Sequence, residues 1–139
     1  MNATVLYRTA GILLAGAAAG NTYAVVRFWQ AGGASNATPL PEDHRVLYGP
    51  VVLALGIFCS LCVLFAACLA WHLGTLARTT PQAIGALGWA LFGYQLLGVY
   101  VSFTELSGLV RILAVALAIC TGWAAWRTRG IRSASPAPK

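Results

Sequence analysis

Residues 102–111 read SFTELSGLVR, and this short stretch decides how many times the chain can cross a membrane. Apolar runs lie on both sides of it, over roughly 82–103 and 109–126. As a single helix the two runs would extend about 67 Å at about 1.5 Å per residue, roughly twice the hydrocarbon core of a bilayer. Because residues 104–108 form the only turn-like segment between the runs, we predict that the chain reverses there and makes two spans.

The composition extends this prediction to the rest of the chain. The 139 residues are 59% hydrophobic and 9% charged, with a mean hydropathy of +0.75, whereas soluble domains carry about 25% charged residues. Two more apolar runs, over roughly 5–28 and 46–76, are long enough to span a bilayer. Backbone groups in lipid must bond within their own segment, so each run should be a helix. The predicted fold is all-α, an integral membrane four-helix transmembrane bundle over residues 1–126.

The basic residues predict the orientation of these spans. Four spans place both termini on the same side of the membrane. Arg8, Arg78 and the basic residues of the tail, 127–139, lie on that side, and Arg27, Arg45 and Arg111 lie on the other. The positive-inside rule then predicts cytoplasmic termini. The Ala- and Gly-rich composition favours a bacterial inner (plasma) membrane. The net charge is +6. We interpret the basic residues as topology signals and as contacts for anionic headgroups, particularly along a flexible tail, and not as a nucleic-acid binding surface.

The chain has only three acidic residues, and all of them fall on the predicted outer side. Glu42 and Asp43 lie with His44 in the single long outer loop, over about 30–45, and Glu105 lies in the short outer turn. Loops of this length are uncommon in compact domains unless they are functional or disordered. The loop is therefore either a lid over the outer mouth of the bundle or an unstructured link.

A polar stripe on the third span points to the same mouth. Gly88, Gln95, Gly98, Ser102 and Glu105 fall within about 100° of arc on a helix, so they should face other helices or a cavity. Asn21 lies at a depth similar to that of Gln95, and a buried amide needs a partner from the protein or from a ligand. The predicted substrate-binding residues are Asn21, Tyr23, Tyr48, Trp89, Tyr94, Gln95, Tyr100, Ser102 and Phe103.

Glu105 has two competing interpretations. In the structural one it lies at the positive end of the fourth helix or pairs with an arginine at the headgroup level. In the catalytic one it lies partly desolvated above an apolar pocket, where burial keeps it protonated. It could then donate a proton to an alkene or an epoxide, with aromatic faces around the resulting cation. Asp43, Glu42 or His44 would take a proton back.

These observations lead to three functional hypotheses. The first is a membrane-embedded enzyme of lipid or isoprenoid metabolism, which isomerises or cyclises an apolar substrate with Glu105 as the acid and without cofactor or metal. The second is a non-catalytic subunit or lipid-binding protein held by helix packing, in which Gly16 and Gly20 of GAAAG pack internally or form a homo-oligomer. The third is a small-solute transporter, which is less favoured because the polar residues do not line a full path.

Three segments carry a resemblance to known proteins: YRTAGILLAGAAAGNTY (7–23), VLYGPVVLALGIFCS (46–60) and LAWHLGTLAR (69–78). They resemble a family of small four-span bacterial membrane proteins, with a shared Gly-x-Thr element at Gly20–Asn21–Thr22 and an aromatic–Gly pair at Tyr48–Gly49. The resemblance implies a four-span fold, and the function of that family is largely unassigned. More loosely, the chain is similar in architecture to membrane-embedded isomerases and small membrane-bound terpene cyclases, which implies acid-plus-aromatic chemistry by analogy.

Overall fold

The computed structural model describes residues 2–30, 42–105 and 108–133, and these residues are helical apart from short connections. The helices are α1 (Ala3–Gln30), α2 (Glu42–Thr79), α3 (Gly85–Glu105) and α4 (Gly108–Ser133), and a 3₁₀ turn, Pro81–Ala83, connects α2 to α3. The described residues contain no β-strand. The predicted all-α fold with four long helices is confirmed.

The surfaces of the helices are those of a multi-pass membrane protein. Each of the four contains a segment long and apolar enough to cross a bilayer, and at most 28% of the residues in such a segment are buried inside the protein. Large apolar side chains therefore point outward, with Phe65 71% and Ile112 73% exposed. Water would make so much exposed apolar surface an aggregation hazard, whereas lipid covers it without cost.

Two helices extend further than hydropathy predicted. α2 begins at Glu42, so Glu42, Asp43 and His44 belong to its first turn and not to a loop. Acidic residues stabilise a first turn through the helix dipole, and Pro41 in the sequence favours a helix start. α4 continues to Ser133, so residues 127–133 of the predicted tail are helical. Hydropathy predicts the bounds of the apolar segment only, and the helical hydrogen bonds of α2 and α4 continue into the polar residues beyond it.

Proline and glycine set the connection between α2 and α3. Thr80 adopts an extended conformation, with φ −141° and ψ 72°, because the following Pro81 disfavours a helical residue before it. Gly85 then has φ +36°, a left-handed value that glycine tolerates best. The second connection separates Glu105 from Gly108, so the predicted break between the third and fourth spans is confirmed.

The chain divides into two compact units, of which the first comprises residues 1–14 and 66–139. Its core includes Tyr7, Leu73, Ile84, Leu91 and Thr121, all nearly inaccessible. Glycines let the helices of this unit approach closely. A Cβ at Gly88 would lie 2.7 Å from the Tyr7 hydroxyl oxygen, and one at Gly11 would lie 3.2 Å from the Ala67 carbonyl oxygen.

The second unit comprises residues 15–65 and contains parts of α1 and α2. The Asn21 side-chain amide donates hydrogen bonds to the Gly56 carbonyl (3.2 Å) and the Ser60 hydroxyl (2.9 Å). Gly56 also lies against Val25, whose Cγ2 would be 2.6 Å from an added Cβ. Gly16 and Gly20 are exposed, with no atom within 4 Å of where a Cβ would stand. Ala18, which lies between these two glycines in the sequence, is buried.

Candidate functional site

The buried face of α3 carries most of the predicted polar stripe. Ile84, Gly88, Leu91, Gln95 and Ser102 are all buried, at the three- and four-residue spacing of one helix face. One described member of the stripe departs from this pattern. Gly98 is exposed, and the side chain of Glu105 lies outside the described part of the structure.

Three contacts show that α3 and α4 run antiparallel. Near the turn the Arg111 Nε donates a hydrogen bond to the Ser102 carbonyl, at 3.2 Å. Further along, the Phe92 ring lies against Gly122, where a Cβ would be 2.7 Å from the ring edge, and Gly88 lies opposite Ala125. Residues later in α4 therefore contact residues earlier in α3. The end of α4 lies beside the start of α3.

Polar residues lie along the buried face of α3, from its middle to its end near Glu105. Ser102 is 1% exposed, and its hydroxyl donates to the Val99 carbonyl at 2.8 Å. The Arg111 guanidinium also lies 5.6 Å from the centre of the Phe103 ring, within cation–π range. Gln95 is 5% exposed, and its Nε2 has no hydrogen-bond partner in the described structure. A buried amide donor without a partner is costly and suits a polar ligand atom or a water molecule.

The predicted aromatic site residues whose side chains are described are all partly exposed, and Trp89 also packs against Phe92. Tyr94 and Trp89 are 39% exposed, Phe103 is 55%, and Tyr23 and Tyr100 are 66% and 68%. In a bilayer, rings with this exposure would contact lipid, as tyrosine and tryptophan commonly do near the membrane surface. Tyr23, Tyr100 and Phe103 could then meet a substrate only on the outer surface of the helices.

The remaining predicted site residues divide into two groups. The Asn21 amide has protein partners in Gly56 and Ser60, so its hydrogen bonds hold helices together. Five predicted side chains lie outside the described part of the structure: Glu42, Asp43, His44, Tyr48 and Glu105. Their backbones belong to α2 and α3, and their predicted roles stay predictions.

An apolar groove of about 420 Å³ runs between α3 and α4, and we refer to it as the α3–α4 groove. Its lining residues come from successive turns of both helices, and Gly122, which has no side chain, lets the Phe92 ring pack against α4. The lining residues are Phe92, Leu96, Val99, Val115, Ala118, Ile119, Gly122 and Trp123.

A second, smaller cavity of about 160 Å³ lies where α3 begins and α4 nears its end, and we refer to it as the polar end cavity. Arg129 and Thr128 give it a polar side, and the Thr128 hydroxyl is committed as a donor to the Ala125 carbonyl at 2.9 Å. Its lining residues are Gly85, Ala86, Trp89, Ala125, Thr128 and Arg129.

A third cavity, of about 560 Å³, flanks the same end of α4, and it shares Gly122 and Trp123 with the α3–α4 groove. Trp126 and Arg127 complete its lining. The Arg127 guanidinium lies 6.0 Å from the centre of the Trp123 ring. The basic, aromatic end of α4 therefore borders the groove at Gly122 and Trp123.

Sequence reasoning missed the groove, although it predicted headgroup contact by the residues after 126. The pattern Trp-x-x-Trp-Arg-x-Arg, 123–129, was the available signal. Tryptophan next to arginine at the end of an apolar run is typical of a helix end at the membrane surface. Comparisons with protein-family models, curated proteins and solved structures find no match to this chain.

Proposed function

We propose that this chain is a multi-pass membrane protein that binds an apolar, lipid-type molecule in the α3–α4 groove. The α3–α4 groove is the observation that carries this proposal. Its volume of about 420 Å³ lies within the usual range of ligand sites, roughly 300–1,000 Å³. We further propose the inner (plasma) membrane as the location, with both termini cytoplasmic, because arginines dominate that side.

Shape, more than apolarity, is what makes such a groove selective. Any apolar helix surface contacts lipid, and lipid tails are as apolar as leucine, so hydrophobicity alone retains no particular molecule. A concave surface contacts a chain on several sides, and each additional atom pair contributes dispersion energy. Phe92, Val99 and Val115 are partly buried walls, while Leu96 and Ile119 are exposed edges past which a chain can enter.

A tryptophan placed in the groove tests this proposal. Leu96 lines the groove and is 48% exposed, so Leu96→Trp should fill it without disturbing the core. Leu97 is the matched control, since it is 62% exposed and lies outside the groove lining. Each variant is purified in mild detergent, and the apolar molecules that copurify are extracted and quantified by mass spectrometry.

The expected result is several-fold less copurified lipid with Leu96→Trp, and wild-type amounts with Leu97→Trp. Equal retention by all three proteins would exclude the groove as a binding site. A change in the unfolding free energy of Leu96→Trp relative to Leu97→Trp identifies damage to the fold as a separate cause.

An enzyme that isomerises or cyclises an isoprenoid-type molecule is the second proposal. The buried Gln95, with its unpartnered Nε2, supports it, because Gln95 and Ser102 share a buried face that leads along α3 toward Glu105. In this proposal Glu105 donates a proton to the apolar substrate, and Asp43, Glu42 or His44 receives one afterwards.

Substitution of the proposed acid separates the enzyme from the binding protein. Glu105→Gln keeps the size of the side chain and removes the acid. An enzyme predicts that the copurified apolar species changes identity, since unconverted substrate accumulates. A binding protein predicts the same species in the same amount. The unfolding free energies of the two proteins serve as the control for a purely structural role of Glu105.

A further inference from the structure

The α3–α4 groove and the polar end cavity lie end to end on one face of the hairpin. On α3, Gly85 and Trp89 line the polar end cavity, and Phe92, Leu96 and Val99 line the groove. These five residues follow one another at intervals of three or four, so they lie on one face of the helix. The Trp89 and Phe92 rings meet edge to face, with centroids 5.9 Å apart. The two cavities share no lining residue, and one elongated molecule can occupy both by passing across these two rings.

The combined length fits a lipid from a single leaflet. From Gly85 to Val99, α3 rises roughly 21 Å at about 1.5 Å per residue. One leaflet contributes roughly 15 Å of hydrocarbon, half of a core of about 30 Å. The groove itself, from Phe92 to Val99, accounts for roughly 10 Å of this length. The two cavities together are therefore long enough for the hydrocarbon of one leaflet, with roughly 6 Å left at the polar end for a headgroup.

The charges at the polar end favour an anionic headgroup. Arg129 lines the polar end cavity and Arg127 lines the adjoining cavity on α4. The only acidic residue of α3 and α4 is Glu105, at the other end of α3 from Gly85. Glu42 and Asp43 belong to the second unit. The Thr128 hydroxyl already donates within α4. Arg129 is therefore the charged donor of this cavity, and the indole N–H of Trp89 is a second, neutral donor type in its lining.

We infer that the α3–α4 hairpin is a binding site for one anionic phospholipid. Its phosphate lies at Arg129, between Trp89 and Thr128, and one acyl chain lies along the α3–α4 groove past Phe92 and Leu96. Arg127 adds positive charge from the flank. This inference rests on the proposed lipid binding and adds the headgroup class. In the proposed orientation this end faces the cytoplasmic leaflet, where anionic lipids concentrate in many membranes.

A competition between two lipids tests the headgroup separately from the groove. The full-length protein is delipidated in detergent, and equal amounts of phosphatidylglycerol and phosphatidylcholine with identical acyl chains are added. Native mass spectrometry then counts each lipid bound. We expect phosphatidylglycerol to be preferred about fivefold, the factor that one arginine contributes beside an anionic lipid surface.

Two arginine variants make the result specific. Arg129→Gln should abolish the preference while total lipid binding persists. Arg78→Gln removes an exposed arginine from the last turn of α2 that lines none of the three cavities, and it should keep the preference. A wild-type protein without preference, or an Arg129→Gln protein that keeps it, would overturn the inference. Lipid binding that Leu96→Trp leaves unchanged would instead overturn the proposed function.

Discussion

The hydrogen bond between Asn21 and Ser60 provides a quantitative test of how α1 and α2 are held together within the second unit. Asn21 donates to the Ser60 hydroxyl at 2.9 Å and to the Gly56 carbonyl at 3.2 Å, and Ser60 itself donates to the Gly56 carbonyl at 3.1 Å. Ser60→Ala removes one of the two acceptors of the amide. Asn21→Ala removes the amide donor and leaves Ser60 with its carbonyl partner.

The expected coupling follows from hydrogen bonds between membrane helices. Such bonds contribute about 0.6 kcal/mol on average and about 1.7 kcal/mol at most in double-mutant cycles. The 2.9 Å distance between Asn21 Nδ2 and Ser60 Oγ is close to ideal, and Ser60 is only 7% exposed. We therefore expect a coupling free energy of about 1 kcal/mol between Asn21→Ala and Ser60→Ala.

The assay is equilibrium unfolding in mixed micelles, with the wild type, both single variants and the double variant. Thr22 supplies a matched control pair with Ser60, because its hydroxyl donates to the Ala18 carbonyl of its own helix at 2.8 Å. The Thr22→Ala and Ser60→Ala cycle should be additive within about 0.3–0.5 kcal/mol. An Asn21–Ser60 coupling no larger than that of the control pair would refute the hydrogen bond as a contribution to stability.

Three more predictions concern the unfolding free energy in the same assay. Gly56→Ala should lower it by about 1–3 kcal/mol, because the new Cβ would lie 2.6 Å from Val25, and adding Val25→Ala should restore it. Gly16→Ala has open space and should raise it by about 0.5–1 kcal/mol; a loss there would contradict the exposed position of Gly16. Gly85→Ala should lower it by about 1–2 kcal/mol, since Gly85 has φ +36°, and an unchanged value would contradict that conformation.

Much of the fold could be predicted because membrane spans impose simple length and composition rules. The stretch at 102–111 is too polar and turn-like for hydrocarbon, and α3 and α4 do end and begin on either side of residues 106 and 107. The stripe on α3 was predictable for the same reason, since Gln95 and Ser102 lie seven residues apart on one helix face and both are buried.

The groove could not be predicted, because it depends on the register between two helices. The position of Phe92 against Gly122 follows from how far α4 slides along α3, and hydropathy contains no information about that distance. The outward direction of Tyr100 and Phe103 has the same origin. Aromatic residues close in sequence to a polar stripe can lie on either side of the helix face that is buried.

The burial of Tyr7 has a consequence for how the chain is assembled during synthesis. The hydroxyl of Tyr7 lies on Gly88, next to Ala125, so its neighbours are made long after α1 has left the ribosome. α3 and α4, by contrast, are adjacent in sequence and can pair as soon as both exist. α1 can therefore complete its contacts only after α3 and α4 have been made. A bulky fusion that restrains the N-terminus would delay this final docking step more than a fusion at the C-terminus.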